Sequence, residues 1–440
     1  MIGSTERDTI NTINTINTIN TINKIVIVAA EASGDLLGAG LIQAIKNKYP
    51  ACQIAGVGGD RMIQAGLQPW GHIDQLSVMG ISEVIKALPR ILKLRKKIIQ
   101  SCLEFQPDFY IGIDAPDFNL PIEQKLKNKF KKIKNNFFVI HYVSPSIWAW
   151  KPGRIHKIKK ATDSVLCVLP FEPEIYHRAN HRAVFIGHSL VDEIDQWRAQ
   201  KSIQTSTQTL LQQEAIKNKY KYKYKYIGLL PGSRQFEIQY LLPDFLKAAE
   251  LIKKKYPTLH FLIPVARENL KTLILFYLKK FPEDFQSSVK LISGPKAAAI
   301  VLDQVSGAIL ASGTVCLEAG LMGVPGVVAY RLSKFSAWIA RKIIRTKYMS
   351  LPNIILNQPV YPELFQEQVT PEALANVLEI QMEKDFQEVA LLLKNKLKLK
   401  LKLKPAQAQN LGMNNIVANT GNNASESALA ELEFFKFKRG

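Results

Sequence analysis

The chain has 440 residues and a net charge of +21, with apolar and charged residues in the proportions of ordinary globular proteins. That length allows two domains, each with its own core. No run of 18 apolar residues predicts a membrane-spanning helix, and the N-terminus lacks the basic start and apolar stretch of a secretory signal. The four cysteines are widely spaced without a CxxC pair, which disfavours a zinc site or a disulfide framework and predicts buried, reduced thiols at Cys52, Cys102, Cys167 and Cys316.

Three short-period repeats interrupt this ordinary composition: "TINTINTINTINTIN" at 9–23, "KNKYKYKYKY" at 217–226 and "KNKLKLKLKLK" at 394–404. The two lysine-rich runs contain eleven lysines, about half of the net charge. We interpret all three as low-complexity insertions that lengthen surface segments without adding a core. No RNA-binding signature accompanies the charge, so we expect no nucleic-acid partner, and the remaining positive excess favours an anionic ligand or a membrane.

Predicted strands and helices alternate from residue 24 onwards. The apolar run "KIVIVAA" predicts a strand buried on both faces, and "EASGD" predicts a Ser-Gly-Asp turn before a helix with apolar residues at helical spacing. Further strands are predicted at "CQIAGVGG", "DFYIGID", "FFVIHYV" and "SVLCVLP". This alternation indicates a parallel sheet that is covered by helices on both faces.

The same alternation restarts after a polar stretch, with "YIGLLPGSR", a helix, "HFLIPVA", "VKLIS" and "GAILASGT". We therefore predict an α/β fold of two doubly wound, Rossmann-like domains facing a central cleft, where ligands gather at strand ends. The predicted divisions are an N-terminal extension at 1–23, a first domain at 24–195, a linker at 196–225, a second domain at 226–370 and a C-terminal helical segment at 371–440.

The first predicted domain has several polar side chains at strand ends. "GVGGD" lacks the third glycine and the acidic residue that NAD binding requires, so it predicts a glycine-rich turn. In "EASGD", Ser33 or Asp35 either caps a helix or lies beside a bound anion. Asp114 directly follows an apolar strand in "GIDAPDFN" and is the better candidate for a general base, whereas Asp117 could simply hold a turn.

Two further stretches of this domain could contact a sugar or a lipid. Trp148, Trp150 and Arg154 suit stacking on a sugar face or contact with a lipid interface, although tryptophans at this spacing also suit partly buried packing. Residues 78–100 mix apolar and basic side chains, with Pro89 starting a new helical segment. They predict a basic amphipathic helix that either contacts a membrane or packs on the sheet with a solvated basic face.

The second predicted domain has two candidate phosphate sites. A tight turn after its first strand would expose backbone N–H groups and a guanidinium that grips phosphate oxygens in pairs, at Gly232, Ser233 and Arg234. A later strand leads into a helix whose first N–H groups favour an anion, at Ser312, Gly313 and Thr314. Glu318 either completes a capping box with Thr314 or accepts hydrogen bonds from a ribose diol.

Many of these segments occur in the same order in the lipid-A-disaccharide synthase family, which the chain resembles from about residue 24 to 375. The most specific is "HYVSPSIWAW". The others are "EASGDLLGAGLI", "GVGGDRM", "MGISEVI", "PDFYIGIDAPDFN", "LPFE", "FIGHSL", "LPGSR", "ASGT…LE" and "YMSLPNIILNQPVYPELFQ". The three repeats depart from the family pattern and leave the motifs intact.

The resemblance implies a metal-free GT-B glycosyltransferase without a cofactor. It would join UDP-2,3-diacylglucosamine to 2,3-diacylglucosamine 1-phosphate, releasing UDP and forming the β-1,6-linked lipid A disaccharide 1-phosphate. Asp114 matches the aspartate that would take the acceptor proton, Arg234 and the 312–314 helix start would stabilise the departing UDP, and Glu318 would hold the ribose. The resemblance also implies a peripheral position on the cytoplasmic face of a Gram-negative inner membrane, and leaves a homodimer open.

Three alternatives remain at the level of the sequence. A UDP-sugar epimerase on the same fold would share the nucleotide site without needing an amphipathic acceptor surface. A basic RNA- or membrane-binding scaffold on an α/β core would use the charge alone. A copy that has lost activity through its repeats would keep the motifs without turnover.

Overall fold

The computed structural model describes residues 22–76, 81–133, 136–206, 225–332, 346–398 and 423–437. Most of each repeat lies outside these residues, so the predictions made for the repeats are not addressed by the structure. The chain divides into two units, which are described separately. The first unit comprises Met1–Ser189 and Lys398–Gly440, and the second comprises Leu190–Leu397.

The first unit alternates strands and helices, as its sequence predicts. Its elements are β1 (Lys24–Ala29), α1 (Ala32–Lys48), β2 (Gln53–Gly58), α2 (Asp60–Gln64), β3 (Gln68–His72), α3 (Ile81–Phe105), β4 (Phe109–Ile113), α4 (Pro116–Phe130), β5 (Phe138–Tyr142), α5 (Arg154–Ala161), β6 (Ser164–Cys167), α6 (Glu172–Arg178) and β7 (Ala183–Phe185). Within the described residues the strands form a seven-stranded parallel sheet in the order β3-β2-β1-β4-β5-β6-β7.

Burial of β1 follows from this central position. Ile25 and Ile27 belong to the core on one face of the sheet, while Val26 and Val28 belong to the core on the other. Alternate side chains of a strand point to opposite faces, so a strand covered by helices on both sides must be apolar throughout. The apolar run of β1 in the sequence is therefore explained by the burial of both faces of the strand.

The second unit repeats the arrangement on a smaller sheet. Its elements are α7 (Ser189–Ser206), β8 (Tyr226–Leu230), α8 (Gln235–Lys255), β9 (His260–Val265), α9 (Glu268–Leu278), α10 (Glu283–Ser287), β10 (Val289–Ser293), α11 (Ala297–Gln304), β11 (Gly307–Ala311), α12 (Thr314–Met322), β12 (Gly326–Tyr330), α13 (Leu351–Leu356), β13 (Glu363–Phe365), α14 (Pro371–Met382) and α15 (Gln387–Leu397). In the part of the chain that the structure describes, six parallel strands pair in the order β10-β9-β8-β11-β12-β13.

The end of the chain is shared between the two units. Helix α14 packs its apolar side chains, including Leu374 and Leu378, into the core of the second unit. The last helix, α16 (Ala424–Phe437), instead contributes Ala428 and Leu432 to the core of the first unit. The stretch predicted as one C-terminal segment at 371–440 is thus divided, because its helices bury their apolar faces against different sheets.

An ion pair fixes α16 to the first sheet. Arg182 donates two hydrogen bonds to the Glu431 carboxylate, at 2.6 and 2.8 Å, and the Ser164 hydroxyl donates a third at 2.8 Å. The Arg182 guanidinium also lies over the ring of Phe434. The paired geometry and the ring contact hold the helix in one register on the unit.

Three predictions about local structure need correction. Ser33 and Asp35 lie in the first turn of α1 rather than in a preceding turn, because the helix begins at Ala32. Pro89 does not start a new segment, since α3 runs continuously from Ile81 to Phe105 around it. The strands β3, β7 and β13 are missing from the predicted set, because β3 and β13 mix polar and apolar residues and β7 has only three residues.

The thiol prediction is confirmed, since all four cysteines are buried and free. Among the described residues, no helix is long and apolar enough to cross a membrane. The described residues also hold no group of three or more His, Cys, Asp or Glu side chains that could bind a metal ion.

Candidate active site

The first candidate region is the turn between β4 and α4, which carries Asp114. Asp114 and Ala115 both have positive φ angles, 51° and 42°, a conformation that side chains other than glycine rarely adopt. The Asp114 backbone N–H donates to the Tyr142 carbonyl oxygen at 2.8 Å, which ties the turn to the next strand. Within the described residues, the partly buried Asp114 carboxylate has no hydrogen-bond or ion-pair partner. A carboxylate with free lone pairs at a strand end can accept a proton from a bound hydroxyl.

Asn119, in the first turn of α4, holds the Asp114 turn by hydrogen bonds to its backbone. It is fully buried, and its side-chain amide donates to the carbonyl oxygens of Asp114 at 2.9 Å and of Ile113 at 3.2 Å. Two adjacent residues at positive φ are strained, and such strain persists only where the surroundings impose it. Asn119 supplies that constraint. It was not singled out from the sequence, although it is the last residue of the "GIDAPDFN" motif.

A buried polar pair, His141 of β5 and Glu123 of α4, lies next to Gly112 of β4. His141 Nδ1 is 2.7 Å from Glu123 Oε1, and both side chains are fully buried. Burial raises the pKa of Glu123, while the neighbouring His141 acts in the opposite direction. A Cβ on Gly112 would come within 2.2 Å of Glu123 Oε1, so the glycine of the motif leaves room for this carboxyl group. No sequence pattern pointed to the pair, because its members are 18 residues apart.

Asp117 has a different environment from Asp114. Its side chain is 85% exposed, and one carboxylate oxygen accepts a hydrogen bond from Arg154 at 2.6 Å. Its backbone carbonyl oxygen accepts a second one from Arg95. The structure therefore brings Asp117 and Arg154 together as an ion pair at the start of α4, and leaves Asp114 as the unpaired carboxylate of the two.

Asp35 has a structural role. The carboxylate is buried and accepts backbone N–H groups from Gly59 at 2.7 Å, Met62 at 3.1 Å and Arg61 at 3.2 Å. It thus caps the start of α2, a helix other than its own. A Cβ on Gly59 would lie 2.7 Å from this carboxylate, so the last glycine of "GVGGD" has a packing role that does not involve a nucleotide. Of the "EASGD" candidates, Ser33 is exposed in the first turn of α1.

Trp148 is fixed by packing and does not form an open platform. Its ring N–H donates to Glu172 at 3.1 Å, and its ring meets the edge of Phe171 at 5.3 Å between centroids. Burial raises the pKa of Glu172 to about 7, although the Leu169 and Trp148 N–H groups oppose the shift. This contact links the "HYVSPSIWAW" motif to "LPFE". Trp150, in contrast, is 40% exposed.

The second unit carries the turn that follows β8. Gly232 has φ +105°, so the turn requires glycine at this position. The N–H groups of Ser233 and Arg234, which we expected to grip phosphate, instead donate to Glu237 at 3.0 and 3.2 Å. The Arg234 side chain, 63% exposed, pairs with Glu237 and remains open to solvent. The correction follows from Glu237, which lies in the first turn of α8 and reaches back to the turn.

The start of α12 is open. The helix begins at Thr314 after Gly313, and both residues are exposed. Its N-cap residue, Gly313, has no side chain to cap the helix, and among the described residues a Cβ on Gly313 would meet nothing within 4 Å. Of the two alternatives for Glu318, the capping box is wrong, because Glu318 is the fifth residue of the helix and a capping box uses the third.

Glu318 is a partly buried carboxyl group one turn into α12. Burial, with repulsion from Glu193, raises its pKa to about 7. A carboxyl group that is reluctant to ionise gains most from a partner that donates hydrogen bonds to its charged form. The two hydroxyls of a ribose are such donors.

A network from the "YMSLPN" and "YPELF" segments supports the loop before α12. Glu363 accepts hydrogen bonds from the backbone N–H of Met349 at 2.9 Å and of Ser350 at 2.7 Å. The Ser312 hydroxyl in turn lies 3.4 Å from the Met349 carbonyl oxygen. Asn353 adds a hydrogen bond to Glu363 at 2.9 Å. These residues belong to motifs that the sequence shares with the family, but their contacts required the structure.

Comparisons with known proteins agree on one family. A sequence profile of the Lipid-A-disaccharide synthetase family matches residues 25–414. The lipid-A-disaccharide synthase of Haemophilus ducreyi is 46% identical over 351 residues, which cover 80% of this chain and 85% of that protein. The lipid-A-disaccharide synthase of Haemophilus influenzae (strain PittEE) is 42% identical over 361 residues, covering 82% of this chain and 87% of that protein.

Solved structures show the fold. The glycotransferase of kitacinnamycin aligns with a TM-score of 0.54 at 12% identity, over 93% of this chain and 99% of that one. UDP-GlcNAc 2-epimerase from Neisseria meningitidis, solved with UDP-GlcNAc, aligns with a TM-score of 0.50 at 12% identity, also over 93% and 99%. The predicted α/β fold with two Rossmann-like units of the GT-B type is confirmed, and epimerases share it. The profile and the relatives separate these enzymes: the chain belongs to the lipid-A-disaccharide synthetase family.

Proposed function

We propose that the protein transfers the sugar of UDP-2,3-diacylglucosamine to 2,3-diacylglucosamine 1-phosphate. The acceptor 6-hydroxyl oxygen forms a bond to the anomeric carbon, the bond from that carbon to the UDP oxygen breaks, and the configuration inverts. The products are UDP and the β-1,6-linked disaccharide 1-phosphate of lipid A. The family match over residues 25–414 is the observation that carries this proposal.

Asp114 is the proposed general base. It takes the proton from the acceptor hydroxyl as the new bond forms. Its support is chemical: the carboxylate has no partner among the described residues, and Asn119 fixes its backbone in a strained turn. We assign the acceptor to the domain at 24–195, with Ser33, Asp117, Trp148 and Arg154 as neighbours of that site and Asp35 as a structural cap.

The donor is assigned to the domain at 226–370. Negative charge builds on the departing UDP, and preorganised positive groups lower the energy of that transition state. We assign this role to the Arg234 guanidinium and to the N–H groups of Gly313 and Thr314 at the start of α12, because the Ser312 N–H already donates to the Ala329 carbonyl oxygen at 3.1 Å. Glu318 accepts hydrogen bonds from the uridine ribose. Neither a metal ion nor an organic cofactor takes part in this scheme.

We further propose that the first unit binds the cytoplasmic face of the inner membrane as a peripheral protein. Helix α3 exposes Leu88 and Leu92, each about half exposed, beside basic side chains at Arg90, Lys93, Lys96 and Lys97. Exposed apolar side chains among cations suit an anionic lipid surface. The acylated substrates would be met at that surface.

Sedimentation with phospholipid vesicles tests the membrane proposal. Leu88→Ser and Leu92→Ser are expected to weaken binding to anionic vesicles about tenfold each, or about 1.4 kcal/mol, since each leucine has apolar area to bury. Ile380→Ser is the matched control, because Ile380 is 60% exposed in the second unit. Equal binding by all three variants would contradict the assignment of α3 to the membrane.

The activity is tested by incubating purified protein with both acylated glucosamine substrates. The expected products are UDP and the disaccharide 1-phosphate, and omission of either substrate removes both. UDP-N-acetylglucosamine alone tests the epimerase alternative, because an epimer would appear without an acceptor. RNA filter binding over a salt series tests the scaffold alternative, since binding through phosphates falls steeply with salt. A protein that binds its substrates but forms no disaccharide would contradict the proposal.

A further inference from the structure

Glu237, in the first turn of α8, contacts both the backbone and the side chain of Arg234. Glu237 Oε2 accepts the N–H groups of Ser233 at 3.0 Å and Arg234 at 3.2 Å. Glu237 Oε1 accepts a hydrogen bond from Arg234 Nη1 at 3.2 Å. One side chain thus holds both the backbone and the guanidinium of the same arginine.

The surroundings are shaped for this carboxylate. A Cβ on Gly232 would lie 2.2 Å from Glu237 Oε2, so glycine is required there for space as well as for its φ of +105°. Glu237 is only 17% exposed, whereas Arg234 is 63% exposed. The largely buried Glu237 carboxylate therefore holds the long, exposed side chain of Arg234.

We propose that Glu237 is a positioning residue for Arg234, an inference that rests on the proposed function because it gives Arg234 the diphosphate of UDP as its ligand. A guanidinium has five N–H donors, and the bond to Glu237 uses one nitrogen at its end. The remaining donors keep a fixed direction towards an incoming anion. Preorganisation of this kind increases affinity because less side-chain freedom is lost on binding.

The same contacts limit how phosphate can be bound here. The N–H groups of Ser233 and Arg234 are occupied by Glu237, so this turn offers an anion its guanidinium and not its backbone. The negative charge of Glu237 is offset by three donors, which reduces its repulsion of a diphosphate. Arg234 therefore acts through an orientation that Glu237 sets.

The test is a double-mutant cycle on the full chain, with UDP affinity measured by calorimetry and donor kinetics measured separately. Glu237→Gln keeps the size of the side chain but places an amide donor against either the guanidinium or the backbone N–H groups. It is expected to raise the Kd for UDP about tenfold, or about 1.4 kcal/mol. In an Arg234→Ala background, Glu237→Gln is expected to raise the Kd for UDP by less than about twofold, because the arginine that Glu237 positions is absent.

Controls separate positioning from folding. Glu268→Gln breaks a comparable pair with Lys271 in the first turn of α9 and is expected to leave UDP affinity unchanged. Glu237→Asp keeps the charge on a shorter stem and is expected to restore part of the affinity. Thermal unfolding of each variant identifies any loss of folded protein before affinities are compared.

Other outcomes would overturn the inference. If Glu237→Gln binds UDP more tightly than the unaltered protein, the carboxylate competes with phosphate for Arg234. If Glu237→Gln lowers UDP affinity equally with and without Arg234, Glu237 is only a structural cap. An unchanged Kd, or no UDP binding by the unaltered protein, would also overturn it. Failure of the proposed function is distinct: the unaltered protein would then bind UDP without forming disaccharide, and the cycle on UDP affinity would still decide the role of Glu237.

Discussion

Replacing Asn119 by alanine is expected to release the turn that carries Asp114. The Asn119 amide donates to the carbonyl oxygens of Asp114 and Ile113 at 2.9 and 3.2 Å in a fully buried position. Leaving a buried polar group without its partner costs about 1–3 kcal/mol. Two residues at positive φ, Asp114 and Ala115, add strain of about 1–3 kcal/mol each that the remaining contacts must contain.

We therefore expect Asn119→Ala to lower the free energy of unfolding by about 2–4 kcal/mol, since the buried Ile113 carbonyl and the partly buried Asp114 carbonyl lose a donor. The rate of disaccharide formation should fall about 10²-fold, because small misplacements of a reacting group have effects of that size. Urea unfolding and single-turnover assays measure the two quantities. UDP affinity should stay unchanged, because the proposed donor residues lie in the second unit.

The exposed Asn269 in α9 provides the matched control, and Asn269→Ala should change neither stability nor turnover. A variant of Asn119 with the expected loss of stability but the turnover of the unaltered protein would refute the reasoning. In that case the anchored turn would serve the fold and not the placement of Asp114.

Two further predictions concern carboxylates. The raised pKa of Glu318, about 7, predicts that uridine binds more tightly as pH rises from 6 to 8, because the ribose hydroxyls bind the ionised form better. Uridine is used instead of UDP because a terminal phosphate itself titrates at about pH 6. In calorimetry, the affinity of Glu318→Gln for uridine should not change with pH. If it still changes with pH, Glu318 is excluded as the titrating group. Asp35→Ala should lower the free energy of unfolding by about 2–4 kcal/mol, because three N–H groups lose their acceptor, while Ser33→Ala should change it by less than about 0.5 kcal/mol in the same urea titration.

The central strands could be predicted because burial on both faces forces an uninterrupted apolar run. β1, β4 and β11 each follow this rule and stand near the middle of their sheets. The strands β3 and β13 could not be predicted, since polar and apolar residues are mixed along them. The spatial order of the strands within each sheet also required the structure.

The candidate residues at strand ends were found because parallel strands place their final residues at one edge. Asp114 and Arg234 both follow this rule. Their supporting contacts could not be found from the sequence, because Asn119 and Glu237 are defined by hydrogen bonds to backbone atoms rather than by a pattern of residue types. Asp35 shows the converse error, in which a polar residue near a strand end serves only to cap a helix.

The most direct test is the turnover of Asp114→Ala with both acylated substrates, alongside its affinity for UDP. The account predicts that formation of the disaccharide is abolished while UDP binds as tightly as before. Asp60→Ala, which removes an exposed carboxylate of the same unit, should keep full turnover. Retention of most turnover by Asp114→Ala would contradict the assignment of the base.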